Sequence, residues 1–247
     1  MTSARTDVAD APPLPASGDT AAFDHLASND LARLTLGFYF IFWGGLVVLV
    51  TLCEALTGLT LRMLHATILG AGSVAMTVGA WRLHQVNALG DAWRRRTRET
   101  LILMGLVSYL CPFFLMWRRV PVNLYLLGHA LVLLAAFCYS MAVCCQLVAV
   151  LARQAGKRGL VTQSILFGAV AVVMLFPPLA VLAQVMVASA RDGRDPVSFL
   201  QLLLQRAQPW MVLTLLVPFA LTLSLVWAAK DLVLRRLLAS RLGESAS

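Results

Sequence analysis

Six long stretches without a charged residue constrain the fold of this chain more than any other feature of its sequence. An ion at the middle of a bilayer costs about 2.5 to 3.5 kcal/mol on insertion scales, and about 20 residues of helix are needed to cross the hydrocarbon. The stretches are apolar on every face, whereas a transmembrane strand alternates. The sequence therefore predicts an all-α, polytopic membrane protein with six transmembrane helices. The predicted spans are residues 34–53, 63–81, 100–117, 123–150, 160–187 and 209–229.

The overall composition supports this class. The chain is 60% hydrophobic and 13% charged, whereas a soluble domain is about 45 to 50% apolar and about 25% charged. The net charge of +8 comes from residues that separate the apolar stretches, so we expect no nucleic-acid partner. Cys138, Cys144 and Cys145 lie inside one apolar stretch, where a thiol behaves as a small hydrophobic group.

The distribution of Lys and Arg predicts the orientation. Six of the 20 fall on the side of the first, third and fifth loops: Arg62, Arg118, Arg119, Arg191, Arg194 and Arg206. The other 14 fall on the side of both termini and of the second and fourth loops. Because short cytoplasmic loops carry the excess of Lys and Arg, we expect an inner (plasma) membrane protein with both termini in the cytoplasm, N-in and C-in.

Two tails flank the predicted six-helix domain of residues 31–229. Residues 1–30 contain five Asp residues and a Pro12-Pro13-Leu14-Pro15 motif, and they lack the apolar segment of a cleavable signal peptide. They predict a disordered, acidic cytoplasmic tail, with docking of the proline motif in an SH3-like or WW-like groove as the alternative. Residues 230–247 predict a basic cytoplasmic C-terminal tail.

The loop between spans five and six predicts a short amphipathic helix on the outer surface. Asp195 is an N-cap residue type, and Pro196 follows it at the first helical position. Polar residues then recur at spacings of three and four as far as Gln208, and Pro209 would end the helix. It either covers the ends of neighbouring spans or acts as a binding lid.

Two basic clusters lie next to the predicted cytoplasmic ends of spans. They are residues 93–98 and 230–241. Each Lys or Arg near an anionic leaflet gains about 1 kcal/mol. We therefore expect contact with the lipid bilayer and its anionic lipids, with docking of an acidic partner or of other membrane subunits as the alternative.

Two histidines are candidate cofactor ligands. His65 and His129 lie near the predicted outer ends of spans two and four, so they are expected at similar depth. Two neutral imidazoles on neighbouring helices are what a b-type haem iron accepts as axial ligands. The alternatives are hydrogen bonds to nearby carbonyls, or a zinc set completed by Glu54 and Cys111.

Several further residues map to the outer halves of the predicted spans and predict an outward-facing vestibule. Proline opens a helix by removing a backbone hydrogen bond, and broken spans often line cavities. The alternatives are ordinary helix kinks and a boundary ion pair between Glu54 and Arg62. The vestibule residues are Glu54, Arg62, Cys111, Pro112, Pro177, Pro178 and Pro218.

Span two carries a stripe of small residues at four-residue spacing: Ala71, Ala75 and Gly79. Such stripes let helices approach closely. We expect this one to pack inside the bundle, with a second subunit as the alternative.

The sequence contains no Gly-x-Ser-x-Gly motif and no glycine-rich phosphate loop, so it favours a protein that is not an enzyme. The first hypothesis is a non-catalytic structural or regulatory subunit of a membrane assembly. The second is a b-type haem redox subunit that uses His65 and His129. The third is a small transporter or channel, for which Gln146, Gln163 and Ser164 are the polar candidates in the inner halves of the spans.

Overall fold

The computed structural model describes residues 23, 26–57, 64–198, 202 and 209–244; at 55–57, 64–66, 209–215, 243 and 244 it describes the backbone alone. These residues form six long helices and, within the described ranges, no strand. The helices are α1 (Ser28–Thr57), α2 (Leu64–His84), α3 (Gly90–Arg119), α4 (Leu124–Gln154), α5 (Arg158–Arg191) and α6 (Pro209–Glu244).

Five of the helices are long and apolar enough to cross a membrane, namely α1, α3, α4, α5 and α6. This finding confirms the all-α class and the presence of several membrane-capable helices. The remaining helix, α2, corresponds to predicted span two, whose first residue, Met63, lies outside the described part of the chain. The count of six spans therefore stays a prediction.

Consecutive helices run antiparallel, since contacting residues are later in one helix and earlier in the next. Near the α2–α3 turn, Nδ1 of His84 lies 3.2 Å from the Thr97 hydroxyl. The hydroxyls of Thr77 on α2 and Ser108 on α3 lie 2.8 Å apart. The rings of Phe113 on α3 and His129 on α4 stack with centroids 4.7 Å apart.

Helix α6 is antiparallel to α1 in the same way, with Trp227 against Phe42 and Leu223 near Gly45. One end of the bundle therefore contains the start of α1, the α2–α3 and α4–α5 turns and the end of α6, and we call it the basic end.

Helix α4 is the centre of the packing and α5 is its most peripheral element. Helix α4 packs against α3, α5 and α6, while α6 also packs against α1 and so closes the bundle. In the most apolar 18 residues of α4, 72% are buried, compared with 11% in α5. Most of the apolar surface of α5 is therefore exposed.

Glycines bring α1 and α2 into close contact. A Cβ added at Gly44 would lie 2.6 Å from the carbonyl oxygen of Gly72, and one added at Gly79 would lie 2.7 Å from that of Gly37. The two glycine pairs are seven residues apart on both helices, so they recur on the same face after two turns. Small residues at this spacing let the two backbones touch, which replaces the missing hydrophobic drive inside a bilayer.

At the basic end, hydrogen bonds from two side chains link the α2–α3 turn region to α3 and α4. The indole Nε1 of Trp93, which is fully buried, donates to the carbonyl of Leu83 at 3.2 Å. The Gln154 amide at the end of α4 donates to the carbonyl of Leu89 in the α2–α3 turn. Each bond adds a side-chain donor to a carbonyl at the α2–α3 turn, so these side chains hold the turn against α3 and α4.

The opposite end is capped by the elements expected at helix termini. The Asn123 side chain accepts hydrogen bonds from the backbone N–H groups of Tyr125 and Leu126, which caps α4. Asp195 accepts from the N–H of Val197 at 2.9 Å, and helix begins at Pro196. The helical start predicted for the outer amphipathic helix is therefore present, whereas most of the segment up to Gln208 lies outside the described residues.

The helices extend beyond the predicted spans at the basic end. Helix α3 begins at Gly90, ten residues before the predicted span, and α6 continues to Glu244 through the segment expected to be a basic tail. Side chains on this extension still pack, since Val233 and Leu237 are buried. Phe23, within the predicted N-terminal tail, is also buried, while residues 1–22 lie outside the described part.

Candidate functional site

The two candidate haem ligands lie on helices that both flank α3. His129 on α4 is stacked on the ring of Phe113 and contacts the tilted ring of Tyr125. Its Nδ1 lies 2.8 Å from the carbonyl oxygen of Tyr125, which can only accept, so Nδ1 donates and Nε2 is left as the free ligand atom. His65 is helical in α2, but its side chain lies outside the described set. Helices α2 and α4 each pack extensively on α3, which separates them.

The alternative zinc set does not gain support from the described side chains. Among them, no three His, Cys, Asp or Glu residues lie close enough together to hold a metal ion. Cys111 is buried and Glu54 is half-buried. The set remains untested as a whole, because the His65 side chain does not belong to the described part.

The predicted vestibule residues are found on different faces of their helices. Pro112, Pro177 and Pro178 are exposed at the periphery of α3 and α5, whereas Cys111 and Pro218 are buried. The α3, α5 and α6 helices continue through these prolines. Arg62 lies outside the described residues. The two cavities described next lie elsewhere, at the basic end.

Within the small-residue stripe, the structure distinguishes the members. Gly79 lies against Gly37 at the close contact of α1 with α2. Ala75 is half-buried, and Ala71 is exposed. Two turns earlier in α2, Gly72 lies against α1. The close contacts with α1 therefore repeat every seven residues, whereas the sequence pattern repeats every four.

The larger cavity is a groove where α3, α4 and α5 meet, and we call it the α4–α5 groove. It has a volume of about 470 Å³. Arg96 and Arg153 line it together with Gln146 and Ser164. The rest of its wall is apolar: Ala149, Val150, Ile165, Gly168, Ala169, Val172 and Val173. The groove thus combines charge, carried by residues at the basic end, with a hydrocarbon-like wall.

The geometry at the mouth of the α4–α5 groove follows from the turn after α4. Gly156 has φ of 65°, which favours glycine, and the N–H of Lys157 donates to the carbonyl of Ala152 at 2.8 Å. This is the Schellman pattern that ends a helix. It places Arg153 on the last turn of α4 and the basic residues Lys157 and Arg158 directly after it.

A second cavity of about 420 Å³ lies on the surface of the basic end. It is lined by His84 and Asp91 and by three arginines, Arg94, Arg95 and Arg98. The Thr97 hydroxyl donates to the carbonyl of Trp93, so it accepts from Nδ1 of His84 at 3.2 Å. This cavity corresponds to the basic cluster at residues 93–98, which the sequence singled out, and its lining residues are all polar or charged.

Sequence reasoning placed Arg96 in the basic cluster at residues 93–98, but it did not single out Arg153 as a candidate for this groove. Gln146 and Ser164 were identified as polar residues in the inner halves of spans four and five, and the structure brings both to this groove. The available signal was the seven-residue spacing of Gln146 and Arg153, which places them on one face of α4. No family model, no curated protein and no solved structure matches this chain.

Proposed function

We propose that this chain is a six-span protein of the plasma membrane, with both termini in the cytoplasm, and that it works as a non-catalytic structural or regulatory subunit of a membrane assembly. Several apolar helices long enough to cross a bilayer support membrane insertion. The excess of Lys and Arg at the basic end supports a cytoplasmic position for that end.

The observation that carries the subunit role is the exposed surface of α5. Val173 is 70% exposed and Val181 is 60% exposed, on a helix in which only 11% of the most apolar 18 residues are buried. Met174 and Leu166 are exposed as well. An apolar surface of this size suits either lipid or another transmembrane helix.

Paired prolines favour another helix over lipid alone. Pro177 and Pro178 have no N–H, so the α-helical hydrogen bonds to the carbonyls of Val173 and Met174 cannot form. A backbone carbonyl without a donor costs several kcal/mol in hydrocarbon. Hydroxyl or amide side chains of a neighbouring helix are the donors that membrane helices use for this purpose.

Site-specific photocrosslinking in cells tests the subunit role. A photoreactive phenylalanine at Val181 on α5 is compared with one at Ile102 on α3, since both positions are 60% exposed. We expect a discrete protein adduct from Val181 and none from Ile102. Lipid adducts alone at both positions, or the same protein adducts at both, would contradict the proposal.

Cysteine labelling tests the topology separately. In a variant without native cysteines, Arg95→Cys and Lys157→Cys place a thiol at the basic end, and Val122→Cys places one in the α3–α4 turn. A membrane-impermeant maleimide added to intact cells should label only the Val122→Cys thiol. Labelling of the two basic-end thiols instead would invert the proposed orientation.

A b-type haem subunit is the second hypothesis. The hydrogen bond of His129 fits it and fits equally well the alternative of a bond to a nearby carbonyl, and α3 lies between the two helices that carry His65 and His129. Donation from Nδ1 to a backbone carbonyl is the arrangement that fixes the tautomer of ligating histidines in proteins. Protein purified from haem-replete cells is expected to show a Soret band that is lost in His65→Ala and in His129→Ala. A colourless preparation would eliminate this candidate.

A further inference from the structure

We propose that the α4–α5 groove binds one anionic phospholipid, with the phosphate between Arg153 and Arg96 and an acyl chain along Gly168 and Val172. The proposal depends on membrane insertion of these helices but not on the subunit role proposed above. It differs from general attraction to the basic end, because it assigns one lipid to one groove.

The charges at the groove suit a phosphate group. Arg153 is exposed, and none of the ion pairs among the described residues includes it. Arg96 bonds Glu99 at 2.6 Å, and the same carboxylate lies 3.7 Å from Arg95. Two arginines share that one acid, so the mouth of the groove retains a positive charge that includes the unpaired Arg153. Arginine also presents several N–H donors in a plane, which fits phosphate oxygens.

The depth of the polar groups suits a lipid rather than a soluble anion. Gln146 lies seven residues before Arg153, which is about 10 Å along the helix. The interfacial layer of a bilayer is about 5 to 7 Å thick on each side. With Arg153 at the headgroups, the Gln146 amide lies near the top of the hydrocarbon, where the ester carbonyls of a lipid accept hydrogen bonds. The Ser164 hydroxyl already donates to the carbonyl of Leu160 at 2.7 Å.

The apolar wall supplies the acyl-chain contact. Gly168 has no side chain and Ala169 has only a methyl group, so space is left in the α4–α5 groove beside Val172 and Ile165. A volume of about 470 Å³ lies within the range of about 300 to 1,000 Å³ that is usual for ligand pockets. Basic pockets between membrane helices on the cytoplasmic side are recurrent sites for anionic headgroups. By contrast, no apolar residue lines the second cavity at the basic end.

Native mass spectrometry of the full-length protein in detergent tests the proposal. The probes are phosphatidylglycerol and, as the neutral reference, phosphatidylcholine with the same chains. We expect one phosphatidylglycerol to bind at least tenfold more tightly than phosphatidylcholine. Since each arginine near an anionic lipid contributes about a fivefold gain, Arg153→Gln should weaken this binding about fivefold and the Arg96→Gln/Arg153→Gln pair about 25-fold.

Two further variants keep the experiment decisive. Arg235→Gln removes an exposed arginine of the basic end that does not line the groove and should leave the tight site unchanged. Ala169→Leu fills part of the α4–α5 groove without changing its charge, and it should weaken the binding of both lipids. Each variant must elute as the wild type does in gel filtration.

Three results would overturn the proposal. Equal losses in Arg235→Gln and Arg153→Gln would mean diffuse attraction rather than a site. An unchanged headgroup preference in the double variant would exclude the two arginines. Displacement of the bound lipid by millimolar inorganic phosphate would identify a soluble-anion site instead. None of these results would affect the crosslinking outcome at Val181.

Discussion

Replacement of Gly44 by alanine tests the close contact of α1 with α2. The new Cβ would lie 2.6 Å from the Gly72 carbonyl oxygen and 2.8 Å from Cγ of Met76, whereas ordinary contact begins at 3.4 Å. The helices must therefore separate locally by about 0.8 Å. Overpacking of this kind costs about 1 to 3 kcal/mol, and the gain of alanine over glycine in a helix offsets about 0.5 to 1 kcal/mol of it.

The expected net loss is about 0.5 to 2 kcal/mol, which corresponds to a melting temperature lower by about 1 to 8 °C for a chain of this size. The measurement is thermal unfolding of the purified protein in detergent, followed by tryptophan fluorescence. Gly105→Ala and Gly128→Ala are matched controls, because a Cβ at either position meets no atom within 4 Å. Both should be as stable as the wild type or more stable.

The same reasoning predicts coupling between the paired glycines. Once Gly44→Ala has separated the helices, Gly72→Ala finds part of its space already open, so the double variant should lose less than the sum of the two single losses. If Gly44→Ala unfolds at the same temperature as Gly105→Ala, or if the Gly44 and Gly72 losses are strictly additive, the inferred backbone contact is wrong.

Three other contacts give predictions of similar kind. Lys230→Met removes the ammonium group that lies 3.3 Å from the centre of the Trp227 ring. This variant should lose about 1 kcal/mol of stability and change the tryptophan emission. An unaltered spectrum and melting temperature would argue against the contact. Asn123→Ala removes the side chain that caps α4 and should lose about 1 kcal/mol of stability in the same assay. Asn123→Ser should recover most of that stability, because serine also caps helices. Equal losses in both variants would show that the cap is unimportant. Gln154→Leu removes the side-chain hydrogen bond to the Leu89 carbonyl and should cost about 0.5 to 1.5 kcal/mol, together with faster hydrogen exchange in the α2–α3 turn. Unchanged exchange there would mean that the turn does not depend on this bond.

Much of the fold could be predicted because it depends on the transfer of single residues into hydrocarbon. The charge-free stretches at 100–117 and 160–187 lie inside α3 and α5, and the cap residues at Asn123 and Asp195 act locally. Helix ends beyond the bilayer were harder to predict. The continuation of α6 through Lys230 depends on burial of Val233 and Leu237, and that burial comes from neighbouring elements.

The candidate site could be predicted only in part. Gln146 and Ser164 were recognisable as polar residues within apolar stretches, since each stands out against its own neighbours. Arg96 appeared as one of a basic cluster and Arg153 as an ordinary loop charge. Nothing local shows that three helices bring these four residues to one groove.

The sequence by itself determined that this chain is helical and apolar enough for a membrane, and where its helices run, because those properties are sums over residues and their near neighbours. The tertiary structure decided that Gly44 meets Gly72, that α5 lies at the periphery and that Arg96 faces the same groove as Arg153. Those facts depend on pairs of residues far apart in the chain. Their contact free energy exists only once the helices have packed.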